Sequence, residues 1–261
     1  MNTLVFIKIG GSLITDKEKP FTVRTDMLLK SAQGIRRAMD QFPSYSFVIG
    51  NGAGSFGHYL AAQEILTENN ASQLRISSIH ESVTRLNNLL VQEMNSVGVP
   101  AFSVSPSACI TCNKGLVTAS NFTSIEALLE QRYVPSIYGD IYPDTTEKGM
   151  IISTESLLEL LIEDAVTRFD DIRVIYVGEV SGVHDTNNSI IPEISVESWK
   201  SQEMVIDATK GFDVTGGMRH KVESALRATR YSNSVHIISG TDAQNIVTAL
   251  SGGHIGTKVV A

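Results

Sequence analysis

Leu4-Val5-Phe6-Ile7-Lys8-Ile9-Gly10-Gly11-Ser12 opens the chain with six strand-forming residues that run straight into two glycines and a serine. The run lacks the polar alternation of a half-exposed strand, so it reads as a strand buried on both faces. The Gly-Gly-Ser that ends it turns successive backbone N–H groups outward, which makes a nest suited to an anion. Lys8 is the anomaly. A charge inside such a strand is costly unless it is paired or reaches the end of the sheet, and the competing reading is an edge-strand lysine facing solvent.

The same grammar repeats along the chain. Ser46–Ile49, Val99–Val104, Tyr133–Tyr138, Ile172–Val177, Ser234–Ile238 and Thr257–Val260 read as further strands. Helical spacing fills the gaps at Asp26–Met39, His58–Leu66, Thr123–Gln131, Glu155–Phe169, Gly217–Tyr231 and Ala243–Leu250. The longest amphipathic stretch is Leu74–Val97, with Leu74, Ile79, Val83, Leu86, Leu90 and Met94 forming its apolar stripe. Strands alternating with helices predict an α/β fold, with a mainly parallel sheet covered on both faces. The polar stretch Pro143–Gly149 is the expected junction between an N-terminal lobe, residues 1–150, and a C-terminal lobe, residues 151–261, of one continuous domain.

Composition narrows the function. The 261 residues carry 21 Lys+Arg against 28 Asp+Glu, a formal net charge of −7, and no basic run longer than two. That argues against a nucleic-acid partner. No segment has the roughly 18 apolar residues of a membrane span, and Met1–Gly11 does not look like a signal peptide. A cytoplasmic chain is expected. Cys109 and Cys112 have redox spacing, but with no second pair for zinc they read as two ordinary thiols. His220 and His236 read as surface or packing residues.

The 20 glycines cluster. Gly50-Asn51-Gly52-Ala53-Gly54-Ser55-Phe56-Gly57-His58 follows a strand and has G-x-G-x-x-G spacing, yet no acidic residue stands where a dinucleotide fold needs it. A glycine-rich strand-to-helix turn still holds a phosphate. Asp213-Val214-Thr215-Gly216-Gly217-Met218-Arg219-His220-Lys221 sets an ammonium one turn above another glycine-rich helix start. No G-x-x-x-x-G-K-[ST] occurs anywhere. Several nests with lysines, and no Walker sequence, point to phosphoryl transfer on another scaffold, where positioning and positive charge do most of the chemistry.

Lys8-Ile9-Gly10-Gly11-Ser12 with Thr15-Asp16-Lys17, the Gly52–His58 loop, Gly139-Asp140, and Asp213–Lys221 together resemble the amino acid kinase superfamily. Within it they look most like isopentenyl phosphate kinases. His80-Glu81-Ser82-Val83 with Leu86-Asn87, Pro100–Pro106 and the terminal Gly256–Val259 extend the likeness over nearly the whole chain. The resemblance implies a three-layer αβα sandwich with an open, mainly parallel sheet, a homodimer, and ATP with Mg²⁺ as cofactors. It also implies an N-terminal lobe for the phosphoryl acceptor and a C-terminal lobe for ATP.

Carried over by motif, Lys8, Lys17, His58 and Lys221 would be catalytic. ATP would lie on Lys8, Gly10, Gly11, Ser12, Gly54, Gly178, Gly182, Asp185, Gly216, Gly217 and Lys221. The acceptor phosphate would lie on Ala53, Gly54, Gly57, His58, Gly139 and Asp140, with Asp140 pairing Lys8 or Lys17. No protein-borne metal ligands are expected, since Mg²⁺ is usually held by phosphate oxygens and water. The chain departs from the family pattern at Asn51, at Ser153-Thr154-Glu155 and in the loop Gly178-Glu179-Val180-Ser181-Gly182-Val183-His184. The alternatives are a kinase of another small phosphate or phosphonate such as fosfomycin, or a non-catalytic nucleotide- or anion-binding protein on the same fold.

Overall fold

The computed structural model describes residues 2–57, 73–146, 149–200 and 217–261. His58, Gly216 and the expected His58–Leu66 helix lie outside them.

An eight-stranded sheet is built around β1 (Thr3–Ile9). On one side stand β2 (Ser46–Asn51), β6 (Val134–Tyr138) and the edge strand β3 (Ala101–Ser103). On the other stand β9 (Asp171–Gly178), β11 (Ser234–Ser239), β12 (Thr257–Val260) and β10 (Glu193–Ser195). Pairing is parallel everywhere except between β11 and β12. Strands from the first half of the chain thus flank β1 on one side and strands from the second half on the other.

The alternation of β1 divides the core. Val5, Ile7 and Ile9 point to one face, where they pack with α2 (Thr25–Gln41), α3 (Gln73–Ser96) and α7 (Gln244–Leu250). Leu4 and Phe6 point to the other, against α5 (Thr154–Ala165) and α6 (Gly217–Ala228). This is the expected three-layer α/β architecture. Lys8 has the parity of Leu4 and Phe6, so its side chain is directed at α5. Because β1 is central, the edge-strand reading of Lys8 fails, and the residue is only 6% exposed.

The helices and hairpins add detail to the expected pattern. The stripe of α3 starts at Ile79, because Leu74 is 80% exposed while Ile79, Val83, Leu86, Leu90 and Met94 are buried. Before α4 (Thr123–Glu130) the chain makes a hairpin of β4 (Ile110–Asn113) and β5 (Leu116–Ser120) that periodicity did not reveal. β7 (Asp140–Tyr142) and β8 (Met150–Ile152) pair as a second hairpin, on either side of the stretch expected as the lobe junction. Cys109 and Cys112 are free and buried. His236 is buried and bonded to Ser234 Oγ, as a packing histidine would be. No helix among the described residues is long and apolar enough to cross a membrane.

Candidate active site

In an open α/β sheet, ligands bind outside the carboxyl ends of the parallel strands. Here β1, β2, β6 and β9 all run the same way, and four of the sequence's glycine sites fall at their ends. Gly10 leaves β1 with its N–H on Val177 O at 2.7 Å, and Gly52 leaves β2 with its N–H on Ile9 O at 2.9 Å. Gly178 ends β9, and Gly139 follows β6.

The two N-terminal glycine loops meet backbone to backbone. A Cβ on Gly11 would collide with the Gly54 amide, and a Cβ on Gly54 would collide with Thr15 Oγ1. Gly54 also has φ +51, a left-handed conformation that only glycine adopts without strain. Thr15 joins the loops, since its hydroxyl donates to Gly11 O at 2.8 Å and accepts from Ser55 N–H at 3.0 Å. Gly11 and Ser12 begin the short helix α1 (Gly11–Ile14). Gly57 packs on Ala53, leaving no room for a side chain. Ser82 Oγ on α3 donates to Phe56 O at 2.9 Å and fixes the loop from the helix layer.

Lys8 and Lys221 reach this edge. Lys8 Nζ lies 2.5 Å from Glu155 Oε1, with side-chain exposures of 7% and 12%. It also lies 3.5 Å from where a Cβ on Gly52 would sit. Burial pushes the Glu155 carboxyl up, but Lys8 beside it outweighs that and holds it below the ordinary glutamate range. The pair exists because β1 directs Lys8 at the first turn of α5, where Ser153 caps the helix through Ser156 N–H at 3.1 Å. Lys221, on α6, brings Nζ within 2.8 Å of a Cβ position on Gly178. An ammonium therefore stands over the end of β9, where a larger residue would push it aside.

Lys17 is exposed, in the loop closed by the Thr15–Val23 bridge. The foot of that loop is tied across the sheet end. Arg24 pairs with Glu179, next to Gly178, and donates to Ser12 O at 3.4 Å.

Asp140 behaves differently from the expectation. Its buried carboxylate meets His80 of α3, with both oxygens 2.9 Å from Nδ1, and Lys8 takes Glu155 instead. The physical reason is direction: Lys8 faces the α5 layer, whereas Asp140 faces α3. Burial pushes the Asp140 carboxyl above its ordinary value, against the opposing pull of His80 and the Ile141 N–H. Gly139 N–H donates to Thr154 Oγ1 at 2.8 Å. An amide network backs this side: buried Asn87 Nδ2 donates to Asn51 Oδ1 and Ser136 Oγ, both buried and both at 2.8 Å, and half-buried Ser103 Oγ donates to Asn87 Oδ1 at 2.6 Å.

The second-half loop carries its own internal hydrogen bonds. Val183 N–H donates to Thr257 Oγ1 at 2.8 Å, and Gly182 leaves room for that threonine. Asp185 Oδ1 accepts from the Asn187 and Ser189 N–H groups at 2.9 Å, so it closes its own turn. Gly217 begins α6.

The structure thus gathers Lys8, Gly10, Gly11, Gly54, Gly139, Gly178 and Lys221 at one edge, with Gly182 and Asp185 in the adjoining loop. Sequence reasoning missed Glu155, Thr154, Thr15 and His80 as site residues. The parity of Lys8 signalled only the layer its side chain would face, not which residue there would pair with it.

A family model for the amino acid kinase family matches residues 3–239. The chain is 31% identical over 271 residues to an isopentenyl phosphate kinase of Methanothermobacter thermautotrophicus, covering 98% of each chain. It is 26% identical over 265 residues to one of Methanocaldococcus jannaschii, again covering 98% of each. A solved isopentenyl phosphate kinase structure superposes with a TM-score of 0.77 at 25% identity, covering 98% of this chain and 100% of that one. A sheet of this order, with glycine loops and lysines gathered at its carboxyl edge and a family match across residues 3–239, gives one conclusion: the chain belongs to the amino acid kinase family.

Proposed function

We propose that the chain is an ATP-dependent kinase that converts isopentenyl phosphate to isopentenyl diphosphate. The observation that carries this reading is the placement of Lys8. It is buried, held by Glu155, and stands against the Gly52–Gly54 loop on the strand between the two halves of the sheet. The β2 and β6 ends to one side suit an acceptor phosphate, and the β9 end under Lys221 suits a nucleotide. In this reading residues 1–150 hold the acceptor and residues 151–261 hold ATP.

A phosphate monoester has its second pKa near ~6 and is already an oxyanion at neutral pH. It needs no general base. One acceptor oxygen attacks the γ-phosphorus in line, the bond from γ-phosphorus to the β,γ-bridging oxygen breaks, and ADP leaves with the bond's electron pair. Lys8 neutralises the oxygens between acceptor and donor. Lys17, on its exposed loop, reaches the γ-phosphate, and Lys221 holds the ATP phosphates. The backbone of Gly10, Gly11, Ser12 and Gly54 supplies N–H donors. His58 orients the acceptor phosphate through a ring N–H, beside Ala53, Gly57 and Gly139. Asp140 acts on this side through His80. Glu155 is a positioning residue, since it fixes Lys8 without reaching substrate.

Among the described residues no group of three His, Cys, Asp or Glu side chains could hold a metal. Glu155 is engaged by Lys8, so Mg²⁺ fits here as the ion of the nucleotide, held by its phosphate oxygens and water. When bound, it adds charge neutralisation on those oxygens. A homodimer and a cytoplasmic location belong to the same reading, and sedimentation of the purified chain checks the first.

The test is turnover with ATP and a panel of monophosphates and phosphonates. Isopentenyl diphosphate should form with the highest kcat/KM. Preference for a small polar phosphonate would replace the acceptor assignment, and no turnover of any acceptor would support a binding protein instead. K221A is expected to raise the KM for ATP at least tenfold. H58A is expected to cut kcat/KM for the acceptor by about 10²-fold, the scale of a lost oriented donor.

A further inference from the structure

The ladder between β2 and β6 does not simply stop at its last rung, Asn51 opposite Tyr138. At the next step a side chain from a third element enters it. Thr154 Oγ1, in the first turn of α5, donates to Asn51 O at 2.7 Å and accepts from the Gly139 N–H at 2.8 Å. The hydroxyl stands where a direct strand-to-strand bond would otherwise form, so it holds the two strand ends apart by one oxygen atom. Both strand ends are fitted to it. A Cβ on Gly50 would lie 2.8 Å from Thr154 Cγ2, and one on Gly139 would lie 3.2 Å from Thr154 N and Oγ1. Thr154 is 1% exposed and Asn51 0%. Neither the Asn51 carbonyl nor the Gly139 amide has water to fall back on if the hydroxyl is lost.

The neighbour of this hydroxyl is Glu155, which holds Lys8 at 2.5 Å. Two consecutive residues of one helical turn therefore fix two things: the spread of β2 and β6, and the position of the buried ammonium on the adjacent strand β1.

We propose that Thr154 is a positioning residue: a strut that sets the gap between the β2 and β6 ends and locks that gap to Lys8. This deepens the kinase reading and rests on it, because the gap is where the acceptor phosphate is assigned. A purely structural threonine would change stability and both substrates alike. A strut on the acceptor side changes the acceptor first.

T154V keeps the shape and removes the hydroxyl. T154S keeps the hydroxyl and removes the methyl. Leaving a buried donor and acceptor unpaired is expected to raise the KM for isopentenyl phosphate about tenfold or more in T154V, with the KM for ATP within about twofold. T154S should stay within about threefold of wild type in both. Equal rises in both KM values, no rise in either, or a T154S as impaired as T154V would overturn the proposal.

A second readout does not depend on turnover. Hydrogen exchange at the Gly139 amide should be about tenfold faster in T154V and near wild type in T154S, and unchanged exchange in T154V overturns the strut. If the wild type fails on isopentenyl phosphate while Gly139 exchange responds as stated, the acceptor assignment falls and the strut stands.

Discussion

Lys8 takes its direction from the parity of Leu4 and Phe6, and that direction decides what can hold its charge. A buried ammonium with its partner removed costs roughly 3–5 kcal/mol. E155Q removes the charge and keeps the volume, so it should lower Tm and reduce kcat by about 10²-fold with the fold retained. The sign of the pH effect follows from the lowered Glu155 pKa. A carboxylate held below its ordinary value adds stability above that value and loses it as pH falls through the folded pKa. The Tm gap between wild type and E155Q should therefore be full at pH 7. It should close as pH drops below the ordinary glutamate value of about 4.3. A gap that is absent at pH 7, or that persists undiminished in acid, contradicts the assignment. Lys8 was legible in the sequence as an anomaly, but Glu155 was not legible as its partner. The two meet only because β1 and α5 are packed against each other, and no local pattern records that. Asp140 shows the converse: the motif marked it as important, and the fold gave its carboxylate to His80.

At the scale of elements, the glycine-ended strands were readable because each breaks a run of apolar residues at the sheet's carboxyl edge. The hairpins were not readable. All five residues of β5 are exposed, and β8 is three residues long, so neither offers the buried run or the alternation that marks a strand. The glycines themselves separate into two kinds. At Gly54 a side chain meets backbone, Thr15 and a positive φ together. G54A should cost about 1–3 kcal/mol from strain alone and disturb both N-terminal loops. At Gly178 the close atom among the described residues is the flexible end of Lys221. G178A should leave Tm within a degree or two, because the lysine can swing away. It should raise the KM for ATP several-fold, because the ammonium then no longer stands over the end of β9. Thermal melts and steady-state kinetics on the two variants separate these cases. A G178A enzyme with an unchanged KM for ATP would remove Lys221 from the nucleotide site.

The whole molecule carries a formal net charge of −7, yet its proposed substrates are anions. The two facts are compatible because the positive groups are local: Lys8 lies at the centre of the sheet and Lys221 over the neighbouring strand end. Fields from charges spread over the surface are screened within about 8 Å at physiological salt, whereas buried charges in contact with ligand are screened far less. Long-range repulsion of ATP by the acidic surface is therefore the part that salt removes. The kcat/KM for ATP should stay level or rise as ionic strength goes from about 20 to 150 mM at constant Mg²⁺. A protein that gathers phosphates with a broad basic surface behaves in the opposite way, because screening then weakens attraction and the on-rate falls. A steep fall in kcat/KM over that range would mean that the nucleotide is drawn in by long-range attraction. The local arrangement at the ends of β1 and β9 would then not be enough to account for ATP binding.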